Sequence, residues 1–162
     1  MRTIARGTGL LKLMPGDAEL ADDYLPELSK KFFVAKGQVH PAQGVRKAKV
    51  AMLAGCVMAL THAESLEATV RVLTRNGIEV HLTGGQGCCG ALNTHSGEPD
   101  SAIEMAKKNI DSFLSASPDA IVSASAGCGA AMKDYGELLA NETEYAAQAE
   151  QVAELTKDIH EL

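Results

Sequence analysis

The sequence predicts an α/β fold: an open parallel sheet of three or four strands with helices on its faces. Three short apolar runs, at 49–54, 78–82 and 119–124, have the length and composition of buried strands. Helical patterns separate these runs, so strand and helix alternate along the chain, as in βαβ units with parallel strands. Every run leads into a loop of small residues that contains cysteine. We therefore expect the cysteine loops at the carboxyl edge of the sheet, where open α/β folds place their ligands.

The composition is that of a folded protein. Its 162 residues suffice for about one domain with a buried core. Hydrophobic residues make up 46% and charged residues 22%, which excludes a disordered tail and a membrane-embedded protein. The net charge of −6 and scattered lysines and arginines argue against nucleic-acid binding. Residues 1–14 do not resemble a signal peptide, so we expect a cytoplasmic protein that reaches the inner face of the membrane only through partners.

Three segments are predicted along the chain: a connecting arm at 1–48, a cysteine-rich domain at 49–140 and a C-terminal helix at 141–162. Prolines interrupt the arm, which leaves room only for short helices. We expect these at 10–14, at 17–24 and at 27–34.

The first strand, 49–54, stops at Gly55 and Cys56. An amphipathic helix follows at 62–75, because leucine and valine recur at spacings of three and four, and Asn76-Gly77 is typical of a helix end. The second strand, 78–82, alternates apolar and polar residues and leads directly into the central glycine loop.

The second half repeats the pattern. A helix is predicted at 99–116, since proline suits its first turn and its apolar residues form one stripe. The third strand, 119–124, leads into a small-residue loop at 125–129. Further helices are expected at 130–140 and 144–160.

The glycine loop Gly84-Gly85-Gln86-Gly87-Cys88-Cys89-Gly90 is the most unusual stretch of the chain. Adjacent cysteines rarely bond to each other, because the ring they would close is strained, so Cys88 and Cys89 more plausibly serve a common centre. Glycines let backbone N–H groups approach a bulky anionic ligand such as a metal–sulfide centre. For the pair alone, two inert thiols in a turn are the alternative.

The four cysteines together indicate a metal centre. In a reducing compartment, Cys56, Cys88, Cys89 and Cys128 point to metal or redox chemistry before structural disulfides. Soft thiolates select zinc or an iron–sulfur cluster. Zinc sites usually carry short C-x₂₋₄-C knuckles, which are missing here, as is a thioredoxin-like C-x-x-C. Single ligands from three loops fit a [4Fe–4S] cluster better, although spacing alone leaves zinc open.

Several blocks of the sequence carry a family resemblance. They are Leu-Ala-Gly-Cys-Val at 53–57, Gly-Gln-Gly-Cys-Cys-Gly-Ala-Leu at 85–92, and Ser-Ala-Gly-Cys-Gly at 125–129 followed by Lys-Asp-Tyr-Gly at 133–136. Together they resemble the cysteine-rich CCG domain, which is shared by the iron–sulfur subunit of glycolate oxidase and one of the subunits of heterodisulfide reductase. The resemblance covers about 49–140 and, with Asn-Ile-Asp at 109–111, is closer to glycolate oxidase.

This resemblance implies an electron-transfer subunit of a glycolate oxidase-like oxidoreductase, not catalytic alone. It would take electrons from a flavin-bearing partner subunit and pass them to a downstream acceptor. Carried over to this chain, Cys56, Cys88, Cys89 and Cys128 would bind the iron–sulfur cluster. No residue of this chain is expected to act on substrate.

The chain departs from the family pattern in two respects. Ala131 stands where the reductase has the second cysteine of a C-x-x-C block, which makes a noncubane double cluster doubtful. The ferredoxin-like module and the second CCG repeat of glycolate oxidase-like subunits do not occur in this sequence, and they are expected as partner modules. The alternative function is a zinc-binding or metal-free domain that docks subunits.

The histidines are weaker candidates. His62 lies where a helix should begin and His81 lies within a strand, so both have ordinary structural roles available. Only His95 lies near the cysteine loop.

Overall fold

The computed structural model describes residues 7–8 and 17–162, and these build one open sheet with helices on both faces. The helix expected at 10–14 lies outside the described residues. The strands are β1 (Gln38–His40), β2 (Ala48–Met52), β3 (Ile78–Leu82), β4 (Ala120–Ser123) and β5 (Thr156–Asp158). Their order across the sheet is β1-β3-β2-β4-β5. Of these five strands only β1 runs antiparallel to its neighbour, so the predicted α/β class with a parallel sheet is confirmed.

Eight helices are described, of which the first precedes β1 and the other seven lie between later strands. They are α1 (Ala18–Tyr24), α2 (Val57–Thr61), α3 (Ala63–Arg75), α4 (Ala91–His95), α5 (Pro99–Leu114), α6 (Ala126–Lys133), α7 (Tyr135–Leu138) and α8 (Ala146–Leu155). A 3₁₀ turn follows at Ile159–Glu161.

The sheet is buried on both faces because its central strands carry apolar residues toward both. Val50 and Met52 point to one face, where α3 packs over them, and Ala51 points to the other, where Ile110 of α5 and Val152 of α8 lie. This two-sided burial explains why β2 and β4 are largely continuous apolar runs without alternation.

The arm contributes a strand that the sequence pattern did not predict. Val39 pairs with His81, which makes β1 an edge strand. The helix expected at 27–34 is wrong: Ser29 and Phe33 donate their backbone N–H groups to carbonyls of α2 instead of to their own segment. These tertiary hydrogen bonds hold the arm extended along the domain.

The C-terminal segment also differs from the expectation of one continuous helix. Helix α8 ends at Leu155, and Thr156–Asp158 then adds the fifth strand beside β4. Thr156 is β-branched and fully buried, which favours a strand at this position. The expected helix at 130–140 begins earlier, at Ala126, and is interrupted at Asp134.

The turn between α3 and β3 depends on Gly77. This residue has φ +85°, and a Cβ there would lie 2.8 Å from the carbonyl oxygen of Val45. Gly97 has a similar φ of +78° with open space around it.

Replacing Gly77 with alanine should therefore cost more stability than the same change at Gly97. We expect Gly97→Ala to lower the free energy of unfolding by about 1–2 kcal/mol, the cost of a left-handed alanine. Gly77→Ala should lose roughly 1–3 kcal/mol more, because the new methyl group overlaps a backbone oxygen. Urea unfolding of both variants measures the difference, and equal losses would contradict the overlap.

Candidate metal centre

The four cysteines lie at one edge of the sheet. Strands β3, β2 and β4 are adjacent and parallel, so their carboxyl ends lie side by side. Cys56 follows β2, Cys88 and Cys89 follow β3, and Cys128 follows β4. The predicted placement of the cysteine loops at the carboxyl edge is confirmed. Cys128 differs in one detail, since it lies in the first turn of α6 instead of in a loop.

The four thiols are arranged as two pairs. In the outer pair, Cys56 and Cys88, the two Sγ atoms lie 3.5 Å apart, and Cys56 is exposed. In the inner pair, the thiols of Cys89 and Cys128 are close enough to shift each other's pKa. Cys89 is 4% exposed and belongs to the apolar core between the sheet and α5. Cys88 and Cys128 are both half-buried, so the outer pair includes the exposed thiol and the inner pair the buried one.

The inner pair is electrostatically asymmetric. Interaction with Cys128, together with burial, raises the pKa of the Cys89 thiol. The same interaction lowers the pKa of Cys128 to about 6 with help from the Ser125 side chain, although burial opposes it. In the outer pair, burial and the contact with Cys88 raise the pKa of Cys56. Of the inner pair, Cys128 is therefore the thiol that loses its proton more readily.

Backbone N–H groups lie near two of the sulfurs. The N–H of Val57 lowers the pKa of the Cys56 thiol and that of Ala91 lowers the pKa of the Cys89 thiol, each against a larger opposing effect of burial. Both N–H groups thus favour the thiolate, which is the form that binds metal. The glycine loop keeps its shape partly through Gly90, which has φ +85° and whose Cβ would lie 3.2 Å from the backbone of Ala102.

Gln86 connects the glycine loop to the central strand. Its Oε1 accepts the backbone N–H of Ala54 at 2.8 Å. Its Nε2 donates to the carbonyl oxygens of Met52 at 3.0 Å and Thr83 at 3.1 Å. One amide side chain therefore fixes the distance between the loop of Cys88 and Cys89 and the end of the strand that leads to Cys56.

Two more polar residues reach the glycine loop from helices. Asn109 of α5 and Tyr135 of α7 are fully buried and hydrogen-bonded to its backbone. From the sequence, Asn109 and Tyr135 were recognised only as parts of the motifs that carry the family resemblance. A detectable signal was present for Asn109, which is a polar residue inside the apolar stripe of α5 between Ala106 and Ile110.

A cavity of about 190 Å³ lies beside the inner pair. Cys89 and Tyr135 contribute to its wall, and His95 and Asp134 are its other titratable neighbours. Among the described residues that line this cavity, none is a lysine or an arginine. His95 is thus the histidine that lies near the thiols. His62 is hydrogen-bonded to Thr61, and His81 to Glu79.

The donor set fits a thiolate-bound metal centre. Four sulfurs that follow three adjacent strands lie at one edge, and N–H groups favour the thiolates of two of them. Among the residues that the structure describes, however, no three histidine, cysteine or carboxylate side chains converge closely enough to hold one metal ion. The thiols thus form two contacts and not a single tetrahedral set.

Comparison with known proteins decides the family. Residues 50–133 match the family of cysteine-rich domains designated CCG. The chain belongs to the CCG family. No solved structure gave a significant match to it. Among the helices that the structure describes, none has both the length and the apolar character to span a bilayer.

Two curated relatives of this CCG protein are named as iron–sulfur subunits, and a third is named as a lactate utilization protein. "Probable glycolate oxidase iron-sulfur subunit" of Bacillus subtilis (strain 168) is 31% identical over 98% of this chain. "Glycolate oxidase iron-sulfur subunit" of Escherichia coli (strain K12) is 40% identical over 72% of it, and "Lactate utilization protein A" of Bacillus pumilus (strain SAFR-032) is 34% identical over 70%. The matched region spans only 36%, 29% and 47% of these relatives, respectively.

The thiols should differ in reactivity in metal-free protein. We expect N-ethylmaleimide to modify Cys89 last, because this thiol is buried and its raised pKa leaves little of the reactive thiolate. Peptide mass spectrometry of a time course gives the rate of each cysteine. Denatured protein is the control, in which the lag of Cys89 should disappear, and rapid modification of native Cys89 would contradict its burial.

Gln86→Glu should destabilise the protein in a pH-dependent manner. The carboxylate would face the carbonyl oxygens of Met52 and Thr83 without a proton to donate, at a cost of roughly 1–3 kcal/mol. Repulsion raises the folded-state pKa of the new carboxyl above its unfolded value of about 4.3. The loss is therefore complete above the folded-state pKa and disappears as pH falls below the unfolded value.

Urea unfolding at pH 7 and near pH 4 tests this prediction. Gln43→Glu is the matched control, because it introduces the same charge at an exposed position. A stability loss at Gln86 that is equal at both pH values would contradict the proposed donor role of its amide.

Proposed function

We propose that this domain is an electron-transfer module of a glycolate oxidase-like oxidoreductase, with Cys56, Cys88, Cys89 and Cys128 as ligands of an iron–sulfur cluster, [4Fe–4S] in type. The observation that carries the proposal is the meeting of four thiols from three adjacent strand ends. Iron–sulfur clusters are held by cysteine thiolates, and four are the number that a [4Fe–4S] cluster takes. When bound, the cluster would supply one-electron storage.

The distribution of the thiols along the chain favours a cluster over a zinc ion. Zinc sites usually take two ligands from one short knuckle, which this sequence lacks, whereas single ligands from separate strand ends suit a cluster whose irons each take their own ligand. At 3.5 Å, the Sγ atoms of Cys56 and Cys88 are close enough to share one metal ion. Binding to different irons therefore requires this pair to open, and Cys56 is exposed, so it can move without disturbing the core.

The protein residues would tune such a centre. The N–H groups of Val57 and Ala91 favour the thiolates of Cys56 and Cys89, and the Ser125 side chain favours that of Cys128. Groups that stabilise negative charge on the ligands are one of the factors that set cluster potentials. Buried Cys89 would shield one side of the centre from water, and exposed Cys56 leaves the other side open to an electron partner.

Substrate oxidation is assigned to a flavin-bearing partner subunit. A 2-hydroxy acid is an anion that needs a cationic group, and the described wall of the cavity beside Cys89 contains neither lysine nor arginine. The names of the relatives support an oxidoreductase that acts on glycolate or a similar acid. We expect the remaining modules of these longer relatives to be partners as well. A zinc-binding or metal-free docking domain is the outcome that the test must exclude.

The test is iron, zinc and acid-labile sulfide analysis of anaerobically reconstituted protein, with EPR before and after reduction. We expect about four irons and four sulfides per chain. Cys88→Ser and Cys89→Ser should each lose most of this iron, because the thiolate ligand is removed. Ala140→Ser, at an exposed position away from the thiols, is the matched control and should retain it.

Two results would contradict the proposal. Stoichiometric zinc without sulfide would favour the docking domain. If the folded chain takes up neither iron nor zinc under reducing conditions, this domain cannot relay electrons by itself.

A further inference from the structure

Asn109 holds two consecutive residues of the glycine loop. Its Oδ1 accepts the backbone N–H of Gly87 at 2.8 Å, and its Nδ2 donates to the carbonyl oxygen of Cys88 at 2.8 Å. The side chain is fully buried on α5, so water cannot replace these bonds. The direction of a carbonyl group reports the ψ angle of its residue, and Asn109 therefore restrains the backbone conformation of Cys88.

Tyr135 extends the same restraint to the next residue. Its hydroxyl donates to the carbonyl oxygen of Cys89 at 3.0 Å and accepts from Nδ2 of Asn109 at 3.1 Å. Tyr135 is also fully buried, and burial raises the pKa of its hydroxyl, so the group remains a donor. Two side chains from two helices thus bind one backbone group in each of three consecutive residues, Gly87 to Cys89.

This restraint acts where the two thiol directions diverge. Cys88 and Cys89 are adjacent, yet one thiol contacts Cys56, and the other lies in the core cluster against which Cys128 packs. A rotation of the peptide between them would redirect both side chains, and glycines on either side leave the loop little stiffness of its own.

We propose that Asn109 and Tyr135 are positioning residues of the thiol centre, holding the Gly87–Cys89 backbone so that Cys88 faces Cys56 and Cys89 faces Cys128. The inference concerns the thiols themselves and does not depend on which metal they bind. A purely structural role for the two residues would affect global stability and all four thiols together. A positioning role would affect the adjacent pair selectively.

The test compares Tyr135→Phe with Tyr145→Phe in the full, metal-free chain under reducing conditions. Each change removes one hydroxyl and keeps the ring. The hydroxyl of Tyr145 is bonded to the exposed carboxylate of Asp111, away from the glycine loop. N-ethylmaleimide modification of each cysteine is followed by peptide mass spectrometry, and stability is measured by urea unfolding.

Tyr135→Phe should raise the modification rate of Cys89 on the order of tenfold, the effect of losing one buried hydrogen bond. Cys56 should keep its rate, and Tyr145→Phe should leave all four rates unchanged. Asn109→Asp retains an acceptor for Gly87 but loses both donor contacts, so it should accelerate Cys88 and Cys89 together. Tyr135→Phe preserves the packing and decides the question even if the Asn109 variant does not fold.

A second control is wild-type protein in enough urea to give it the same free energy of unfolding as Tyr135→Phe has without urea. This control separates a positioning effect from a general loosening of the fold. A faster Cys89 in the variant than in the stability-matched wild type supports positioning. Equal rates in the two samples, or an unchanged Cys89 rate in Tyr135→Phe, would overturn it. Because no metal is present, neither result depends on whether the chain binds a cluster.

Discussion

The parallel pairing of β2 with both β3 and β4 is the constraint on which the site depends. Val50 lies opposite Val80 on one side and Ala120 on the other, so the central strand fixes the register of both neighbours. Cysteines far apart in the sequence thereby reach one edge, and the contact between Cys56 and Cys88 follows from the strand pairing. A register shift of one residue would exchange Val50 and Met52 with Ala51, and the bulky face would no longer meet α3. Core packing therefore also sets the geometry of the thiols.

Much of the fold could be predicted because its central elements carry strong local signals. The three apolar runs, the amphipathic α3 and α5, and the glycine turn at Gly77 are all visible in sequence windows of five to sixteen residues. The two outer strands were not predictable in this way. Each has three residues, too few for a periodic pattern, and each exists because a neighbouring strand offers unpaired backbone groups. Tertiary context alone decides such segments.

The candidate site likewise has features that the sequence predicts and features that it does not. The four thiols could be predicted because cysteine is a metal-binding residue type and because each cysteine follows a strand. The grouping into an outer and an inner pair could not, since it depends on the conformation of one peptide unit. Gln86 and Tyr135 bind backbone atoms, and no sequence pattern specifies which carbonyl a side chain will face. Asn109 was detectable only as a polar residue out of place in an apolar stripe.

The short outer strands also bear on how this domain associates with other proteins. Both open edges of the sheet are three residues long, and β5 presents Lys157 and Asp158 beside buried Thr156. Short edge strands, and charges such as those on β5, make poor templates for adding a foreign strand. Association by continuation of the sheet is thereby discouraged. The helix surfaces and the loops around Cys56 are left as the places where a neighbouring protein can dock.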